Sequence, residues 1–316
     1  MKKEKSILQL FPSSLRSSFE SVARQCGDLS EIRIRAKRPV MIYRGKTEYY
    51  LTKDGQEKLA EGNGFLDAMC PDTGQVDAMF SYLCQYSPYA YGEAIKQGFL
   101  TVAGGHRVGV AGQAVRTGDG ISGIRNIRFL NIRISHEVKD VASPYLSEIY
   151  EKETGRIHNC LIIAPPGMGK TTMLRDMVRQ ISDGSRGQRG CGVAVVDERS
   201  EIAGCFMGEP QNDVGIRTDV LDACPKVYGM EMMLRSMAPE VIAVDEIATD
   251  RDVETLLLLL HCGVRVIATI HGDSVEEITK KPYLKPLFEA AYFKRFLLIK
   301  QRKNGRLYNE KGECLV

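Results

Sequence analysis

The stretch Cys160-Leu-Ile-Ile-Ala-Pro-Pro-Gly-Met-Gly-Lys-Thr-Thr172 constrains this chain more than any other part of it. An apolar run, Leu161 to Ile163, is stopped by Pro165, Pro166 and Gly167. Gly169-Lys170-Thr171 then opens a segment in which Leu174, Met177, Val178 and Ile181 recur at i, i+3, i+4 and i+7, the spacing of one buried helix face. A strand that turns through a glycine-rich loop into a helix makes an anion cradle. The loop amides point inward, the helix dipole favours negative charge, and a lysine supplies a full positive charge. The pattern assigns Pro166, Gly167, Met168, Gly169, Lys170, Thr171 and Thr172 to nucleotide phosphates, with the Thr171 hydroxyl as a magnesium ligand. Ala164 stands where the usual pattern has its first glycine, one small residue for another. The chain is therefore expected to bind a nucleotide.

The pattern continues downstream. Apolar runs without alternation at 160–164, 193–196, 241–244 and 264–270 read as parallel strands covered on both faces. Helices are expected between them near 170–182, 228–237 and 249–262. In the last two, Met230, Met233, Leu234 and Met237, and Val253, Leu256, Leu257 and Leu260, form apolar stripes that read as core. Phe296 to Ile299, Asn304-Gly305 and Arg306 to Tyr308 suggest a terminal hairpin. Upstream the texture differs, with helices near 12–25 and 74–85 and extended segments at 31–35, 40–43 and 107–110. The expected organisation is a smaller α+β domain at 1–140, a linker at 141–157 and a P-loop domain at 158–316. Ser143-Pro144 would open a helix within that linker.

The second motif narrows the chemistry. Val241-Ile-Ala-Val-Asp-Glu246 places two carboxylates at the carboxyl end of a strand, where a parallel sheet presents its ligand-binding groups. Asp245 is suited to hold magnesium through water, and Glu246 to orient or activate the water that attacks the γ-phosphate. Val195-Val-Asp-Glu-Arg-Ser-Glu201 and Ala268-Thr-Ile-His-Gly272 end two more strands in polar groups, adding Glu198, Glu201 and His271 to the candidate catalytic set. Three such strand ends beside one phosphate loop would converge on a single crevice. ATP with Mg2+ is the expected ligand. The Asn/Thr-Lys-x-Asp signature of GTPases is missing, and 241–275 shows no clear arginine-rich kinase lid, although Arg251 keeps that option.

A net charge of +3 is too small to imply nucleic acid by bulk electrostatics. The basic segments Arg33-Ile-Arg35-Ala-Lys37-Arg38 and Arg125-Asn-Ile-Arg128 motivate the alternative, a nucleic-acid-dependent P-loop ATPase. Their alternation also suits strands with one solvated face, so nucleic acid is not the expected partner. Nine cysteines without a C-x-x-C pair read as reduced thiols. The apolar run Leu256 to Leu260 is far below membrane-spanning length, and a soluble or peripheral protein is expected.

With these residues in this order, the chain resembles the secretion ATPases of type II and type IV secretion and pilus assembly. The matching segments are Pro165 to Thr172, Asp197-Glu198-x-x-Glu201, Met233-Leu-Arg235 with Pro239 to Glu246, and Thr269-Ile-His271. Val196 to Gly204 and Gly104-Gly-His-Arg-Val-Gly-Val-Ala-Gly112 are similar to a sporulation branch of that group. The resemblance implies a RecA-like P-loop ATPase core with a mostly parallel sheet. It also implies a hexamer that hydrolyses ATP as a motor or assembly ATPase. Such a protein would be cytoplasmic and peripheral on the mother-cell side of the forespore membrane, docked on membrane-embedded sporulation channel proteins. In this group arginines from the N-terminal side or from a neighbour close on the phosphates, which makes Arg107, Arg125, Arg128 and Arg217 candidate arginine fingers. Two departures matter: Asp245-Glu246 stands for Gly-Glu, and Asp197-Glu198-Arg199 for Glu-Asp-Pro. Glu246, Glu198 and Glu201 therefore remain alternatives for polarising water. The zinc-binding cysteine quartet of some type II members is missing, so no zinc is expected.

Overall fold

The computed structural model describes residues 2–62, 65–118, 120–185, 187–301 and 304–316, and divides the chain into two units, Met1–His136 and Glu137–Val316. The first unit is built on an antiparallel sheet of β1 (Leu29–Arg35), β2 (Met41–Arg44), β3 (Thr47–Leu51), β4 (Glu57–Leu59), β5 (Phe99–Val102), β6 (His106–Thr117) and β7 (Gly120–Arg133). Its strand order is β4-β3-β2-β1-β7-β6-β5. Helices α1 (Lys2–Leu8), α2 (Ser13–Arg16), α3 (Glu20–Arg24), α4 (Thr73–Leu83) and α5 (Gly92–Lys96) complete it. Residues of α1 to α5 share one core with Ile32, Ile34, Val108, Leu130 and Ile132 of the sheet. In β1, Ile32 and Ile34 are buried while Arg33 and Arg35 lie on the other face, where Arg33 bonds Glu31 at 2.9 Å. The basic segment is thus a strand with one solvated side. The β6–β7 hairpin runs well beyond the expected 107–110, because its distal half is exposed and shows no apolar alternation.

The second unit holds β8 (Cys160–Ala164), β9 (Val193–Asp197), β10 (Thr218–Asp222), β11 (Val241–Val244), β12 (Arg265–His271), β13 (Arg295–Gln301) and β14 (Asn304–Asn309). They lie in the order β10-β9-β11-β12-β8-β13-β14, with every neighbouring pair parallel except β13–β14. Successive residues of β8, β9 and β11 are buried on alternate faces in two separate cores. That double burial explains the unbroken apolar runs, each large side chain contributing roughly 1.5–3 kcal/mol. Helix α7 (Lys170–Asp183) covers one face with Met173, Leu174, Met177, Val178 and Ile181. Helices α8 (Lys226–Met237) and α9 (Asp250–His261) cover the other with Met230, Met233, Val253, Leu256, Leu259 and Leu260.

Three expectations are corrected. The stretch 141–157 does not link but packs within the second unit. Ala142, Tyr145, Leu146, Ile149 and Tyr150 are buried there, and the buried Asp176 of α7 accepts from the Ala142 amide at 2.8 Å. Its helix is only α6 (Leu146–Ile149), since Tyr150 returns to extended backbone. Met237 is 52% exposed, because α8 ends there and turns away through left-handed Ala238. Short helices α10 (Val275–Thr279) and α11 (Lys285–Glu289) fill the path to β13.

Candidate active site

Strand order creates the site. The chain leaves β8 through α7 and rejoins the sheet at β9, on the far side of β12 and β11. After β12 it crosses in the opposite direction to β13. A crevice outside the carboxyl ends at such a switch point is where open α/β sheets hold ligands. The register brings the candidates level: Ala164 pairs with His271, and Val244 pairs with both Ala268 and Val196. The phosphate loop, His271, Asp245-Glu246 and Asp197-Glu198 thus end four adjacent strands.

Gly167 and Gly169 take φ values of +75° and +97°, a left-handed region disfavoured for residues with a side chain. A Cβ at either would meet open space, so the backbone itself, and not crowding, requires glycine. Lys170 is the first residue of α7 and is buried; its Nζ donates to the Ala164 carbonyl (3.4 Å) and to Nδ1 of His271. An ammonium has no acceptor, so Nδ1 carries no proton in this contact and Nε2 must be the protonated nitrogen. His271 Nε2 lies 3.3 Å from Oε2 of Glu246. Lys170, His271 and Glu246 form a line across three neighbouring strand ends. Burial lowers the Lys170 pKa, opposed by Glu246 and Asp245. Thr171 and Thr172 are half-buried on the first turn of α7.

Burial, with the nearby charge of Glu201, raises the pKa of Asp245, although Thr269 Oγ1 donates to its Oδ1 at 3.3 Å. A half-buried carboxylate with one side-chain donor, at a strand end of the same crevice, suits a magnesium ion with its waters. The loop with its open glycines, the buried Lys170 and the oxygens of Thr171 and Asp245 fit a magnesium nucleotide.

Asp197 plays a different part. It is fully buried and accepts from the amides of Glu201 (2.8 Å), Ile202 (3.0 Å) and Ala203 (2.8 Å), so it pins the loop after β9. Arg175, buried on α7, holds the same loop by donating to the carbonyls of Glu201 (2.6 Å) and Ile202. Glu198 pairs with Lys226 at 3.4 Å, and Lys226 also donates to the Glu246 carbonyl. Lys281 donates to the His271 carbonyl at 2.6 Å. Arg175, Lys226 and Lys281 carried no sequence signal, lying in no recognisable motif.

The arginines separate. Arg217 Nη1 donates to the carbonyls of Ser182 (2.9 Å) and Asp183 (3.4 Å), the last residues of α7. That is the opposite end of a 14-residue helix from Lys170, about 20 Å away. Within its own chain Arg217 is therefore a partner of the α7 C-terminus and far from the phosphate loop. Arg107, Arg125 and Arg128 belong to the first unit. There Arg107 lies over the Phe99 ring at 3.5 Å, Arg128 pairs with Asp77 at 2.7 Å, and Arg125 is exposed on β7.

Among the described residues, no helix is long and apolar enough to cross a membrane. Solved structures share the fold. One is the Legionella pneumophila ATPase DotB, with a TM-score of 0.58 and 13% identity over 91% of this chain and 76% of that one. Another is the pilus retraction motor PilT, with a TM-score of 0.53 and 15% identity over 89% and 77%. The fold is accordingly α/β and RecA-like, with a mostly parallel sheet in the second unit, as in these two proteins. In sequence, the chain is 39% identical over 314 residues to "Stage III sporulation protein AA" of Bacillus subtilis (strain 168), spanning 98% of this chain and 96% of that protein. The profile of the family described as "Sporulation stage III, protein AA" matches residues 1–315. The chain belongs to the stage III sporulation protein AA family.

Proposed function

We propose that this chain binds ATP with magnesium and hydrolyses it, as an oligomeric motor or assembly ATPase of a sporulation channel between mother cell and forespore. The observation that carries the reading is the line Lys170–His271–Glu246, which joins the phosphate loop to a carboxylate through one histidine. The amides of 166–172 and the Lys170 ammonium would hold the phosphates, and Thr171 and Asp245 the magnesium. The ion, when bound, offsets phosphate charge. Glu246 orients water and takes its proton, while His271 fixes the direction of that carboxylate. The ATPase DotB and the pilus retraction motor PilT with bound ADP, which share the fold, support the same reading. Family membership supports a place in sporulation. By likeness to the secretion ATPases, the assembly would be a hexamer docked on membrane-embedded channel proteins from the mother-cell cytoplasm. Arg107, Arg125 and Arg128 would then close on the phosphates from the first unit or a neighbour.

Substituting Lys170→Ala should abolish binding of a fluorescent ATP analogue. Glu246→Gln should keep that binding and slow phosphate release roughly 10²- to 10⁴-fold. Parent-like hydrolysis by Glu246→Gln would overturn the assignment of Glu246. Light scattering with and without ATP and magnesium tests the ring.

A further inference from the structure

We propose that Lys226 is a positioning residue that fixes Glu246 through its main chain and pairs off Glu198, favouring Glu246 over Glu198 as the carboxylate that acts on water; this rests on the ATPase reading above. Lys226 is the first residue of α8. A cation in the first turn of a helix has the wrong sign for the dipole, so neither propensity nor helix electrostatics accounts for it. Its surroundings do. The side chain is 13% exposed, and its ammonium meets acceptors from three elements. These are the Glu246 carbonyl just after β11, Glu198 Oε2 just after β9 (3.4 Å), and Asp252 Oδ2 in the first turn of α9 (3.8 Å).

Asp252 in turn accepts from the amides of Ala248 (2.9 Å) and Thr249 (3.0 Å). The turn 246–249 is therefore held at its start by Lys226 and at its end by the acid that Lys226 faces. A lysine bond to a carbonyl is charge-assisted and orients the peptide plane it meets. That plane, whose Ile247 amide also donates to the Thr269 carbonyl (2.9 Å), anchors the main chain from which the Glu246 side chain extends to within 3.3 Å of His271. The same ammonium pairs with Glu198, which sets Glu198 apart from Glu246 among the three acids that the sequence left as alternatives.

The test compares Lys226→Met and Lys226→Arg with the parent as full-length proteins. In unliganded protein, hydrogen exchange at the Ala248 and Thr249 amides should rise about tenfold or more in Lys226→Met. Exchange at 161–163 in β8 should stay as in the parent, and Lys226→Arg should restore protection. With ATP and magnesium, Lys226→Met should lower kcat roughly 10- to 100-fold, with KM and ADP affinity unchanged, as expected for a misplaced catalytic group. Unchanged exchange at 248–249, parent-like kcat, or ADP affinity lost in step with kcat would each overturn the proposal. A parent that turns over no ATP would sink the ATPase reading, while the exchange measurement still decides whether Lys226 holds the turn.

Discussion

Removing the Asp197 carboxylate should open the loop 198–203 without unfolding the sheet beneath it. The carboxylate is fully buried and takes three amide donors, those of Glu201, Ile202 and Ala203. At about 1.5 kcal/mol for each hydrogen bond to a charged group, the sum is about 4 to 5 kcal/mol. Burial opposes this, for it holds the Asp197 pKa above the ordinary carboxylate value even though all three amides pull it down. The net for Asp197→Ala should therefore lie below the sum, at about 3 kcal/mol. Because about 1.4 kcal/mol is a factor of ten, protection of those three amides should fall about 100-fold. Hydrogen exchange read by mass spectrometry on peptides spanning 198–205 measures this directly. Asp197→Asn should recover less than half, since its amide nitrogen would face a backbone donor. Parent-like protection in Asp197→Ala would refute the reasoning, because something else would then satisfy the donors. A uniform rise across the second unit would refute it too, by showing the effect to be global.

Asp245 provides a pH-dependent counterpart. Its pKa is raised by burial and by Glu201, so the folded chain holds the proton more tightly than the unfolded one. The ionised group then lowers stability at neutral pH, and this penalty fades as pH falls through the raised pKa toward the ordinary carboxylate range. Asp245→Asn should thus stabilise the unliganded second unit by about 1 kcal/mol near neutral pH. Urea titrations at two pH values should show the gain shrink on acidification; destabilisation at neutral pH would contradict the sign. Arg217→Ala should cost about 1 kcal/mol through the lost bonds to the last carbonyls of α7, seen as a lower urea midpoint. It should leave ATP turnover unchanged, and a large loss of turnover in a folded variant would show that Arg217 reaches a neighbour's phosphates.

The crevice combines an expensive arrangement with a rigid support. Asp197, Asp222 and Asp245 all have pKa values raised by burial, and Lys170 has one lowered by it. Shifts of this kind gather where a protein keeps charges dry for chemistry. The strand ends that carry them are backed by two apolar cores, one on each face of the sheet.

Much of this was legible in the residues alone. The segment 160–172 announced a strand, a left-handed glycine loop and a helix, because backbone sterics and 3.6-residue periodicity act locally. The runs at 193–196, 241–244 and 264–270 announced buried parallel strands, because an unbroken β-branched apolar run suits a strand covered on both faces. Edge strand β10, Thr218-Asp-Val-Leu-Asp222, shows neither alternation nor an unbroken apolar run, because none of its residues is fully buried. What a local pattern does not contain is order across the sheet. Only the tertiary structure placed β12 between β8 and β11, and so put His271 between Lys170 and Glu246. It also decided that Asp197 faces three amides and Glu198 a lysine, although the two stand side by side in the chain. Successive residues at a strand end point to opposite sides, and what each one meets there is brought by distant segments. The residue types that bind phosphate are thus written in the chain, and their division of labour is made by packing.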